Sequence, residues 1–158
     1  MNYPRYTLCM RIEAFLDESP LFEIYRVSRR LDTELQRILG PDAVSFFEAL
    51  VLVSILFEEP RTVKPSRLAE TFSTGRGNIS NCISALEARG LVKRRIDPED
   101  GRSIQLVLKP QGRKYAMQAI RSLDQLQKQF EKKIGMAQLR SALHAVRQVE
   151  QICGAANS

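Results

Sequence analysis

Between Lys64 and Leu108 the hydrophobic period switches from that of a helix to that of a strand, and no other segment narrows the choice of fold as much. Pro65 suits a first helical position, and Leu68, Ala69 and Phe72 follow as a short helical stripe. The polar stretch STGR then makes a turn. Ile79, Cys82, Ile83 and Leu86 recur at i, i+3, i+4 and i+7, which predicts a second helix with one apolar face, stopped near Gly90. Advancing about 100° per residue puts Gly77, Ser80, Asn81, Ser84 and Ala88 on the opposite face. Strand alternation begins at once in VKRRI and returns in Ile104, Leu106 and Leu108, with Pro98 and Gly101 in the reversal. On the first strand Val92, Arg94 and Ile96 share one face, Lys93 and Arg95 the other.

The flanks read as helices. Leu21, Ile24, Leu31, Leu35 and Ile38 mark one from about Pro20 to Leu39, ended by Gly40-Pro41. The next, which Asp42 can cap, runs to about Phe57 and is apolar on nearly every side, so it belongs at the centre. After Pro110 a long helix carries Ala116, Ala119, Ile120, Leu123, Leu126 and Phe130 along one side. Beyond Gly135 a last helix presents Met136, Leu139, Leu143, Val146, Val149 and Ile152 in a near-heptad stripe. The fold class expected is mainly α with a small β-hairpin: a winged helix-turn-helix over 61–109, with helical regions 18–57 and 110–153 completing one domain over 1–158.

With 158 residues the chain can bury a core without staples, and Cys9, Cys82 and Cys153 lie too far apart for a zinc site or a disulfide framework. A reducing, cytoplasmic setting is expected. The N-terminal residues carry charges and a proline where a signal peptide needs an unbroken apolar run, and Ala43 to Phe57, interrupted by Glu48, falls short of the ~18 residues of a membrane span. The formal charge of +6 is concentrated in the middle: residues 61–114 hold twelve Lys and Arg against five acids, and the remainder is nearly balanced. A solvated basic face would account for this, as would a surface facing a polyanion. A catalytic role needs a nucleophile with its base, a metal set or a phosphate-cradling loop. The chain offers none of these patterns, so neither enzyme chemistry nor a cofactor is expected.

Duplex DNA's major groove is about 12 Å wide and admits a helix that offers short polar side chains to base edges. Ser80, Asn81 and Ser84 meet that requirement. Asn81 matches adenine's donor and acceptor pair, and Arg76 near the helix start suits a phosphate or a guanine. Arg102, beside Gly101, is placed for a narrow minor groove, and Asp100 is near enough to hold the fork of Arg94, Arg95 or Arg102.

The stretch PSRLAETFSTGRGNISNCISALEARGLVKRRIDPEDGRSIQLVLKPQG resembles the DNA-binding core of MarR-type transcriptional regulators. It has an LAE helix, a recognition helix ending in L-E-x-x-G-L-V, a D-x-x-D-x-R wing and an L-x-P-x-G entry to the next helix. The resemblance puts Arg76, Gly77, Asn78, Ser80, Asn81 and Ser84 in the recognition segment, and matches Asp100 and Arg102 to the wing's orienting acid and groove-inserting arginine. Lys64, Ser66, Arg94 and Arg95 complete the set expected to meet DNA. The chain departs from the pattern at Thr74, at Gly75 where Ser or Asp is the usual cap, at Gly101 in place of a second wing arginine, and at Lys109.

The resemblance also implies a homodimer with interlocked terminal helices that reads a pseudo-palindromic operator, most simply as a repressor. Many relatives bind a small aromatic effector between the DNA-binding and dimerisation parts. Two other readings stand beside this one. A winged helix can serve as a protein-interaction module, and Cys9 resembles the N-terminal cysteine of the family's redox-sensing branch, although TLCMRIEAF lacks that branch's tyrosine-rich surroundings.

Overall fold

The computed structural model describes residues 12, 16, 18–40, 44–97, 101 and 103–155. Six helices and one hairpin are continuous in it: α1 (Pro20–Leu39), α2 (Phe46–Glu58), α3 (Pro65–Thr71), α4 (Arg76–Ala88), β1 (Val92–Ile96), β2 (Ile104–Leu108), α5 (Pro110–Lys133) and α6 (Met136–Ala155). The architecture is mainly helical with an antiparallel two-stranded wing, as the periodicities predict. Proline stands in the first turn of α1, α3 and α5, where its missing N–H costs nothing.

The start of α2 differs from the expectation. Asp42 lies outside the described residues, and the cap is Ser45: its Oγ accepts from the Glu48 amide at 3.2 Å, while the Glu48 carboxylate accepts from the Ser45 amide at 2.7 Å. This reciprocal box satisfies two N-terminal amides at once, which a lone aspartate three residues earlier cannot do.

Helix α2 is the hub. Ala49, Val51, Leu52, Val53 and Ile55 are buried around its circumference, and it packs along α5 and against α1, α4 and β2. The core then runs through Leu68, Ile79, Ile83, Leu86, Leu91, Val92, Leu106 and Ala116. The strands pair from Val92 with Leu108 to Ile96 with Ile104. A third short segment joins them, unforeseen from the sequence: the Leu106 amide donates to the Val63 carbonyl at 3.0 Å, which ties the segment before α3 to the wing. Ile96 and Ile104 are exposed despite their alternation, because the outer half of the hairpin extends past the body that covers Val92 and Leu106.

Two glycines carry backbone requirements. Gly90 ends α4 at φ +71°, in the left-handed region that a Cβ disfavours. Gly112, in the first turn of α5, is buried so tightly that a Cβ there would lie 2.0 Å from the Leu91 carbonyl oxygen. Leu91 also accepts from the Lys109 amide at 2.9 Å, so the start of α5 is docked on the α4–β1 junction.

The two ends of the chain present a different surface. On α1, Leu21, Tyr25, Leu31 and Ile38 are exposed, and on α6 no residue is buried, with Leu143 53% and Ile152 70% exposed. Among the described residues no helix is long and apolar enough to cross a membrane, and no His, Cys, Asp and Glu cluster could hold a metal ion.

Gly112→Ala is expected to destabilise the fold by about 1–3 kcal/mol, because α5 must back away from Leu91. Urea unfolding followed by circular dichroism checks this, and an unchanged midpoint would mean that the contact is not required.

Candidate nucleic-acid interface

Helix α4 is held by one face only. Ile79, Cys82, Ile83 and Leu86 are buried, while Arg76, Gly77, Asn78, Ser80, Asn81, Ser84 and Ala88 are all exposed. Beyond Arg76 in the first turn, the result is a ridge of short side chains, most of them polar. No side chain caps the helix, since Gly75 occupies the N-cap. The turn before it passes through Ser73 at φ +48°, and Thr74 Oγ1 accepts from Asn78 Nδ2 at 3.0 Å. The departure at Thr74 thus has a structural use: it fixes the Asn78 side chain at the first turn.

The wing stands beside this ridge. Lys93 and Arg95 are exposed on its outer face, opposite Val107 and Gln105 respectively. Arg95 shares an open cavity of about 450 Å³ with Arg61, Thr62 and Val107. Arg61 was not singled out from the sequence, because only the fold brings the segment before α3 alongside the wing. Ser66 and Lys64 are exposed at the start of α3, near enough to the wing for Lys64 Nζ to lie 3.5 Å from the Asp97 carboxylate. Asp97, a turn acid in the sequence, is buried at the base of the wing loop, where its amide donates to the Ser103 carbonyl at 2.9 Å.

Arg94 is engaged at the junction of α4 and β1. Nη1 lies 2.7 Å from Glu87 Oε2, Nη2 donates to Ser84 Oγ at 2.9 Å, and the Arg94 amide donates to Glu87 Oε1 at 3.2 Å. The strand follows the helix after a three-residue turn, Arg89 to Leu91, which brings the last turn of α4 over β1. Asp100, Arg102 and Cys9 lie outside the described residues.

Cys82 belongs to the buried face of α4. Burial, reinforced by the negative charge of Glu48, pushes its thiol up to about 11. Cys153 is exposed on α6.

Residues 48–104 match the family model described as MarR family. Among solved structures, the chain is similar to MepR of S. aureus in a DNA complex, at 12% identity and a TM-score of 0.74, over 87% of this chain and 98% of that one. It is similar to a mutant MarR of E. coli complexed with operator DNA, at 22% identity and a TM-score of 0.71, over 85% and 96%. It is also similar to Bordetella bronchiseptica BpsR, whose DNA binding is regulated by 6-hydroxynicotinic acid, at 16% identity and a TM-score of 0.70, over 85% and 94%. At these identities the likeness establishes the fold. Among curated proteins none matches the chain by sequence.

The raised pKa predicts that at pH 8 only about one Cys82 thiol in a thousand is ionised. Iodoacetamide is therefore expected to label Cys153 in the native protein and Cys82 only after denaturation, as read by peptide mass spectrometry. Equal labelling of the two under native conditions would contradict the packing of α4.

Proposed function

We propose that this chain, which carries a MarR-family domain over residues 48–104, is a homodimeric transcriptional regulator that reads a pseudo-palindromic operator in duplex DNA, most simply as a repressor. The observation that carries the reading is the exposed small-polar face of α4 set beside a basic hairpin. In the major groove, Ser80 and Asn81 approach base edges and Asn81 pairs with adenine, while Arg76 and the uncapped first-turn amides of α4 meet phosphate. Gly77 leaves room for the backbone to come close. Lys64, Ser66 and Arg95 supply contacts along the sugar-phosphate backbone, and Arg102, oriented by Asp100, enters the minor groove. Residues 61–109 are then the DNA-binding part, and 18–57 with 110–153 the dimerisation part of a single domain.

Support for the dimer comes from the uncovered apolar stripes. Burying a large aliphatic side chain contributes ~1.5–3 kcal/mol, and α1 and α6 leave many of theirs in water. A two-fold partner covers the same stripes on both copies and sets the two α4 helices about one turn of DNA apart, ~34 Å. An effector that alters this spacing releases the operator. The regulation of BpsR by 6-hydroxynicotinic acid supports a small aromatic ligand, and the chemistry of the α1 surface is compatible with one. There a shallow cavity of about 300 Å³ is lined by Phe22, Tyr25, Arg26, Arg29, Arg30 and Thr33.

Binding to random duplex DNA tests the reading against a winged helix that docks protein. Affinity is expected to fall steeply with salt, with a log–log slope of about −0.9 per phosphate contacted. Arg95→Ala is expected to weaken binding to all sequences and reduce that slope by about 0.9, whereas Asn81→Ala relaxes preference at one position by about 1–3 kcal/mol. Equal losses for both variants on every sequence would overturn the division of roles. Salt-insensitive or undetectable binding by the wild type would overturn DNA recognition itself.

Leu143→Glu places a charge in the exposed stripe of α6 and is expected to convert the dimer to monomer in sedimentation velocity, with helix content kept. A monomeric wild type would remove the basis for a palindromic site.

A further inference from the structure

Resting on the DNA-binding reading, we propose that Arg94 is a positioning residue rather than a DNA ligand: braced by Glu87, it sets the wing's angle to α4 and turns the Ser84 hydroxyl outward as a hydrogen-bond donor. Three observations lead there. Both nitrogens at the end of the guanidinium are engaged, Nη1 by the Glu87 carboxylate at 2.7 Å and Nη2 by Ser84 Oγ at 2.9 Å. The second carboxylate oxygen of Glu87 accepts from the Arg94 backbone amide at 3.2 Å, so one acid grips both the side chain and the strand that carries it. The pair is also about two-thirds covered, with side-chain exposures of 33% and 36%.

The chemistry of each partner follows. Glu87 cancels the charge of Arg94 where it stands, so the pair adds no net attraction for phosphate, and pulling the arginine toward DNA would leave a carboxylate unpaired beside a polyanion. The planar fork reaches an acid and a hydroxyl at once, which a lysine ammonium on a flexible stem cannot reproduce in the same geometry. Ser84 is the outermost polar residue of the α4 ridge on the wing side. A hydroxyl has one proton and two lone pairs, and with guanidinium on the oxygen its proton is directed away from Arg94. Ser84 therefore offers a donor to acceptors such as purine N7, guanine O6, thymine O4 or a phosphate oxygen. Rigid attachment also matters for two-site binding, because a wing free to swing must lose that freedom on DNA.

Two variants of the full-length protein separate positioning from contact. Arg94→Lys keeps the charge and loses the fork, and the double variant Glu87→Gln with Arg94→Gln keeps the net charge and loses the ion pair. Each is measured against a random-sequence duplex and against the best duplex selected from a random pool, over a salt series. On the selected duplex both are expected to bind about tenfold more weakly than wild type, with the wild-type salt slope. Ser84→Ala is expected to cost less in the Arg94→Lys background than in wild type, and thermal midpoints stay close to wild type because the pair is partly solvated. Wild-type affinity in Arg94→Lys, or a slope reduced by about 0.9 in the double variant, makes Arg94 a phosphate ligand and overturns this inference alone. A wild type that binds neither duplex overturns the DNA reading, and this inference with it.

Discussion

The rotation of α4 about its own axis is set by burial of Ile79, Cys82, Ile83 and Leu86, and every later feature of the surface depends on that angle. Each large aliphatic among them contributes about 1.5–3 kcal/mol by leaving water, whereas the serines and asparagine opposite gain little from either orientation. A slip of one residue turns the helix by about 100°, which would bury Ser80 or Asn81 and expose Ile79 and Leu86. The apolar side thus decides which residues of α4 face outward. The same packing keeps the Cys82 thiol protonated, because burial and the negative charge of Glu48 both disfavour a thiolate.

Much of this was legible in the residues because helices and strands have different periods and the chain keeps both cleanly. The bounds of α1, the turn between α3 and α4, the hairpin, and the exposed set Gly77, Ser80, Asn81, Ser84 and Ala88 all follow from local patterning. The features that escaped depend on contacts between segments. Ser45 displaced Asp42 as the cap because a reciprocal box forms only once Glu48 is in place. Val63 became a strand partner because a single backbone hydrogen bond to Leu106 has no period to detect. Ile96 and Ile104 alternate as strand residues should, yet alternation does not say where the supporting body ends.

Arg94 shows the same limit in the site. A basic run after a recognition segment reads as a set of equivalent cations, but the tight α4–β1 turn brings Glu87 over one of them and leaves Lys93 and Arg95 clear. The signal available was the acid itself, Glu87, standing in a stretch otherwise dominated by positive charge. Lys64 approaches the Asp97 carboxylate at the base of the wing as well, at 3.5 Å, though its side chain stays 47% exposed. Charge summed over a segment therefore overstates what faces outward, since part of it is consumed in holding the segment's own elements together.

Helix α5 joins these local devices to the rest of the chain. Its 24 residues span about 36 Å, and its first turn is pressed on Leu91 at the one place where α4 gives way to the wing. A glycine at that contact lets backbone meet backbone, so there is no side chain whose rotamer could absorb a displacement. The far end of α5 runs directly into α6, across Gly135 at φ +87°, and α6 is the element with no buried residue of its own. On the proposed reading, a partner that covers the stripes of α1 and α6 also sets the direction of α5. Through Gly112 and Leu91 that direction passes to α4 and the hairpin as a unit, because Glu87 and Arg94 bind them to each other. On the proposed reading, the separation of two such units is controlled at the ends of the chain, far from the ridge that meets the duplex. A ligand needs only a different affinity for two packings of those ends to change it.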